Sequence, residues 1–112
     1  MKPWKELNRE LYFQKFSRKI EKVDFQMPDG SVSDFYVKKE GPAVATLALT
    51  TDNQVILVEQ FRPGPMEVLL ELPGGYVDEG EDSVEAGARE LKEETGYQGE
   101  VTKVAECLDD AY

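Results

Sequence analysis

A chain of 112 residues is sized for one small domain with a buried core, so residues 1–112 are read as a single domain. Its net charge of −10 argues against general nucleic-acid binding, because such a surface repels phosphate backbones, and no apolar run is long enough to span a membrane. The opening Met1-Lys2-Pro3-Trp4 lacks the apolar segment of a secretion signal, and the single Cys107 has no internal disulfide partner, so a cytoplasmic setting is expected, with Cys107 a small buried residue.

In chain order, Trp4 to Ile20 mixes aromatic and charged residues and reads as either a short strand or an irregular arm. Met27-Pro28-Asp29-Gly30 is a strong turn signal, which predicts an antiparallel hairpin of Lys19–Gln26 with Ser33–Lys39. Phe25, Phe35 and Val37 are its inward residues, with core packing favoured over stacking on a base. Gly41-Pro42 then separates this arm and hairpin, 1–40, from a core region, 41–112. A second hairpin is predicted from Ala43–Thr50 and Val55–Phe61 across Asp52-Asn53, central in a sheet because Val55 to Val58 is apolar on both faces. Gln60 to Pro65 reads as a rigid loop, Val68–Leu72 as a short strand running into Pro73-Gly74-Gly75, and Gly99–Leu108 as a last strand.

Between these strands lies the most acidic part of the chain. From Gly75 onward twelve Asp and Glu face three Lys and Arg, whereas the residues before it are almost balanced, eleven against ten. Asp82 is a good N-cap, Glu85 completes a capping box, and Gly96 is a C-terminal stop, so a helix is predicted at about Ser83 to Thr95. Val84, Gly87, Ala88, Leu91 and Thr95 share its packing side. Glu90 and Glu94, one turn apart, stack at the edge of that stripe, with Glu93 one step further round and Glu81 approaching from the loop. Carboxylates crowded at the rim of a core repel unless a cation neutralises them. Oxygen ligands without His or Cys point to Mg²⁺, with Mn²⁺ the other candidate. Arg89, four residues before Glu93, is placed to clamp that carboxylate, and the bare Gly74-Gly75 backbone to bring a carbonyl to the same ion.

Gly75, Glu81, Arg89, Glu90, Leu91, Glu93, Glu94, Gly96 and Tyr97 together match the Nudix box, G-x5-E-x7-R-E-U-x-E-E-x-G-U with U bulky and apolar. At roughly 7% per residue type, a chance match at the strict positions is on the order of 10⁻⁸. The chain therefore resembles a Nudix hydrolase. Glu59-Gln60-Phe61-Arg62 followed by Glu71-Leu72-Pro73-Gly74-Gly75 is similar to the ADP-ribose pyrophosphatase branch of that family. The resemblance implies an α/β (α+β) fold, a mixed sheet with the box helix packed on it, preceded by a hairpin of the kind through which such enzymes commonly pair as homodimers. It implies metal-dependent hydrolysis of a small nucleoside diphosphate derivative, with ADP-ribose giving AMP and ribose 5-phosphate as the leading case. Glu90 and Glu94 are then primary metal ligands, Glu93 and Glu81 further ones, and the Gly75 carbonyl an additional donor. Arg89 orients them, and the general base is a box glutamate or a residue on a later loop. Arg62 is either a phosphate contact or a surface ion pair with Glu59, Glu67 or Glu71. The chain ends about fifteen residues past the box, so the C-terminal part of such a fold is expected to be missing. Two alternatives stand beside the enzyme: a metal-binding Nudix fragment without turnover, and a non-enzymatic nucleotide-binding module.

Overall fold

The computed structural model describes residues 2–106, which fall into two compact units, 2–40 and Gly41–Glu106. Cys107 lies outside the described residues, as does the end of the Gly99–Leu108 strand.

The first unit is a three-stranded antiparallel sheet in the order β1 (Lys5–Lys15), β2 (Arg18–Gln26), β3 (Val32–Lys39). The N-terminal segment is thus a strand of 11 residues, neither short nor irregular, bent by register shifts between Glu6 and Asn8 and between Leu11 and Phe13. A tight turn with Phe16 in the left-handed region (φ 54°) joins it to β2. The predicted hairpin forms with Lys19 opposite Lys39 and Phe25 opposite Ser33. Its turn is closed by Gly30 N–H donating to Met27 O at 2.9 Å, and the Asp29 carboxylate accepts from the Ser31 N–H and hydroxyl. Central β2 contributes the fully buried Val23. Phe25 and Phe35 pack with Trp4, their centroids 5.4–6.2 Å apart, so the inward aromatics make a small cluster. Leu11, Tyr12, Phe13 and Phe16 remain exposed.

The second unit contains β4 (Ala43–Ala45), β5 (Val58–Arg62), β6 (Glu67–Glu71), β7 (Gly74–Tyr76) and one helix, α1 (Ser83–Thr95). The strand pairs differ from those predicted. Ala43–Thr50 and Val55–Phe61 meet only near their turn, through the Leu49–Val55 bridge, Thr50 N–H to Gln54 O at 2.9 Å and Ile56 N–H to Ala48 O at 3.0 Å. Beyond that point they part. β4 pairs antiparallel with β7, extended by Thr46 N–H donating to Pro73 O, and β5 pairs antiparallel with β6. Val55 and Leu57 are 48% and 45% exposed, so the run apolar on both faces is covered on one face only and is not a central strand. The expected loop at Gln60 is also revised: Gln60, Phe61 and Arg62 end β5, and the turn follows at residues 63–66, with Met66 N–H donating to Arg62 O. Residues 99–106 form no strand, since no described segment pairs with them.

α1 has the predicted bounds. Asp82 accepts from Val84 N–H and Glu85 N–H, the Glu85 carboxylate accepts from Asp82 N–H, and Gly96 closes the other end in the left-handed region at φ 76°. The helix packs on β4 and β7 through Gly87 and Leu91, and also through Ala86, which the predicted stripe left out and which is fully buried. The Thr46 hydroxyl donates to Gly87 O at 3.2 Å, which brings helix and strand close enough to hold the helix face beside the Gly74-Gly75 backbone. All described pairings are antiparallel, and among the described residues no helix is long and apolar enough to cross a membrane.

Candidate metal and catalytic site

The helix bounds are set by its caps, and the burial of Ala86, Gly87 and Leu91 against the strands decides which glutamates lie near the sheet. Glu90 and Glu94 are half-buried, while Glu93 points away, its side chain 60% exposed. The Glu90 carboxylate lies over Gly75, where an added Cβ would sit 2.5 Å from Oε1. Gly74 is equally confined on its other side: a Cβ there would come within 2.1 Å of Val44 O. The two glycines therefore let one strand pack against both β4 and the helix carboxylates at once.

Arg89 connects the group. Its Nε and Nη2 each donate to Glu81 at 2.9 Å, its Nη1 donates to Glu90 Oε1 at 2.9 Å and to Glu93 Oε2 at 3.3 Å, and Nη2 also reaches Tyr76 O at 2.9 Å. The predicted clamp on Glu93 is thus the longest of these bonds, and Glu81 is the principal partner. This contact, with a second bond from Asp78 N–H, holds the Glu81 carboxyl below the usual carboxylate range, and Glu81 followed by Glu90 pushes the Arg89 guanidinium up. Glu94 is held differently. Its Oε1 accepts from Gln60 Nε2 at 2.9 Å and its Oε2 from Gly74 N–H at 3.0 Å.

Arg62 stands on β5 two residues from Gln60 and forms a two-pronged ion pair with Glu71, through Nε at 2.8 Å and through Nη2. The pair raises the Arg62 pKa and lowers that of Glu71. The ion pair with Glu71 is formed, and it engages Nε and Nη2 only.

Among the described residues, no three His, Cys, Asp or Glu side chains converge as a ready ligand set as they stand. Arg89 bridges Glu81 and Glu90, and Glu94 faces Gln60 and Gly74. The donor chemistry nonetheless fits a hard divalent ion: carboxylate oxygens one turn apart on a helix, with the backbone of a side-chain-free segment against them. Gln60, the Gly74 N–H and the Tyr76 carbonyl are site groups that motif reading missed. Gln60 carried a signal, its place in the Gln60-Phe61-Arg62 element, but nothing local names Glu94 as its partner.

The NUDIX domain family model matches residues 39–112, more than half of the chain, and the chain belongs to that family. It is similar to the methanol dehydrogenase activator of Bacillus methanolicus, at 37% identity over 90 residues, covering 78% of this chain and 49% of that protein. It is 38% identical over 82 residues to the ADP-ribose pyrophosphatase of Bacillus subtilis (strain 168), covering 72% and 44%, and 51% identical over 57 residues to the ADP-sugar pyrophosphatase of Mus musculus, covering 49% and 26%. In structure it resembles an ADP compounds hydrolase with a TM-score of 0.75 at 27% identity, over 88% of this chain and 54% of that one. The fold is thus Nudix-like, of the class the sequence implies, and the chain spans about half the length of these Bacillus relatives. Nudix hydrolases generally use divalent metal ions.

Proposed function

We propose that the chain is a cytoplasmic Mg²⁺-dependent pyrophosphohydrolase that cleaves a nucleoside diphosphate linked to another moiety, with ADP-ribose, giving AMP and ribose 5-phosphate, as its leading substrate. The observation that carries this reading is the placement of Glu90 and Glu94 one turn apart against Gly74-Gly75, with Arg89 tying Glu90 to Glu81. The relatives named as ADP-ribose and ADP-sugar pyrophosphatases support the substrate class.

Glu90 and Glu94 are the primary ligands in this reading, with Glu81, Glu93 and the Gly75 carbonyl as further donors. A bound divalent ion supplies charge neutralisation at the pyrophosphate and activation of a water. The protein's own contribution is positional. Arg89 keeps Glu81 and Glu90 together despite their like charge, and the confined Gly75 keeps room for the Glu90 carboxylate. Arg62 is the substrate residue: Glu71 engages Nε and Nη2, fixing the guanidinium plane so that its remaining nitrogen can donate to a phosphate oxygen. The exposed Leu11, Tyr12, Phe13 and Phe16 of the first unit support a homodimer.

The test is AMP release from ADP-ribose by the purified 112-residue chain, with Mg²⁺ and with EDTA, alongside its mass in solution. Release that EDTA abolishes is expected. A folded chain that binds Mg²⁺ without releasing AMP would sink the hydrolytic reading and leave a metal-binding module.

A further inference from the structure

We infer that Gln60 is a positioning residue for Glu94, holding that carboxylate oriented for the cation through a donor that carries no net charge; the inference rests on the metal-site reading above. The Gln60 amide donates to Glu94 Oε1 at 2.9 Å, and Gly74 N–H donates to Oε2 at 3.0 Å. Each oxygen thus has one donor, and the carboxylate plane is fixed from two different strands. A carboxylate only accepts, so the Gln60 group facing it must be the NH₂.

The character of these donors sets Glu94 apart. Glu81, Glu90 and Glu93 all bond to the Arg89 guanidinium. Glu94 is held by an amide and a backbone N–H, neither of which carries net charge. A cationic partner at position 60 would fix the carboxylate too, but would also neutralise it against an incoming ion. Arg62, on the same strand, is near enough for its charge to act on Glu94, but its Nε and Nη2 hydrogen-bond Glu71. Register places Gln60 between the members of that ion pair. Opposite residues on β5 and β6 are Val58–Glu71, Gln60–Leu69 and Arg62–Glu67, so the Arg62–Glu71 bond runs diagonally across the rung that contains Gln60. An ordered carboxylate also loses less rotamer freedom when it ligates.

The experiment is a titration of Mn²⁺ alone, without nucleotide, followed by the electron paramagnetic resonance of the free ion. Wild type is compared with Gln60→Met, which keeps the length and removes the donors, with Glu94→Gln, and with the double variant. Loss of an orienting partner typically costs 10–100-fold in metal affinity, so Gln60→Met should bind Mn²⁺ about tenfold more weakly. The same change should add little in the Glu94→Gln background, where no carboxylate remains to be oriented. Gln60→Asn, too short to reach, should repeat the loss if Gln60→Met does not fold. Unchanged affinity in these variants, an equal loss in both backgrounds, or loss of helical circular dichroism in both Gln60→Met and Gln60→Asn would overturn the positioning role while leaving the site reading intact. Absence of Mn²⁺ binding by wild type, or wild-type binding by Glu94→Gln, would overturn the site reading and this inference with it.

Discussion

The Glu90 carboxylate occupies the space that any side chain at position 75 would need, with Oε1 2.5 Å from where a Cβ of residue 75 would lie. Its neighbour Gly74 is closed off by backbone instead, at 2.1 Å from Val44 O. The two adjacent glycines should therefore fail differently. Gly74→Ala meets a rigid carbonyl and should destabilise the fold by about 1–3 kcal/mol or more, read in urea unfolding. Gly75→Ala meets the end of a flexible side chain, so the unfolding midpoint should stay near wild type while Mn²⁺ affinity falls. Equal loss of stability in both would contradict the geometry.

Replacing Arg89 tests what holds the glutamates together. Lysine keeps the charge but cannot span Glu81 with two nitrogens while also reaching Glu90 and the Tyr76 carbonyl. Arg89→Lys should lower metal affinity at least tenfold. The check is the same Mn²⁺ titration, with circular dichroism showing the helix retained.

Glu90→Gln and Glu94→Gln remove a charge with almost no change in shape. Each should lower AMP release from ADP-ribose by orders of magnitude without unfolding the chain. A near-normal rate in the Glu94 variant would refute its assignment as a primary ligand.

The Arg62–Glu71 pair predicts a pH dependence of stability. Glu71 has a lowered pKa in the folded chain because it accepts from Arg62, so folding is favoured when it is ionised. That contribution is fully present above the ordinary carboxylate pKa of about 4.3 and is lost as pH falls through the lowered folded value. Glu71→Gln should lower the urea midpoint at neutral pH and flatten its fall below about pH 4.3. A midpoint curve parallel to wild type across that range would show that the pair adds nothing.

Asp82 caps the helix that carries every box glutamate after Glu81. Asp82→Ala should cost about 1 kcal/mol, and Asp82→Ser should restore most of it. Thermal unfolding followed at the helix band is the measurement.

What could be read directly from the chain was whatever neighbours in sequence decide. The bounds of α1, Ser83 to Thr95, follow from Asp82, Glu85 and Gly96, all within one turn of the helix ends. The Met27–Gly30 turn brought Lys19 and Lys39 together in the same way, and helical spacing alone put Glu90 and Glu94 on one edge. Long-range pairing was not legible. Ala43–Thr50 has a plausible partner across its own turn, yet Ala43–Ala45 joins Gly74–Tyr76, because only a strand without side chains at 74 and 75 admits both Val44 O and the Glu90 carboxylate.

The sequence by itself thus determined the helix, its caps and the shared edge of Glu90 and Glu94, since these depend on contacts a few residues apart. The tertiary structure decided that Arg89 chooses Glu81 over Glu93, that Arg62 turns to Glu71, and that Gln60 reaches Glu94 across 34 positions. The physical reason is that a long side chain with several acceptors in range goes to the one whose backbone is fixed at the right distance: strand register sets that distance for Arg62, and the packing of α1 on the strands sets it for Gln60 and Arg89.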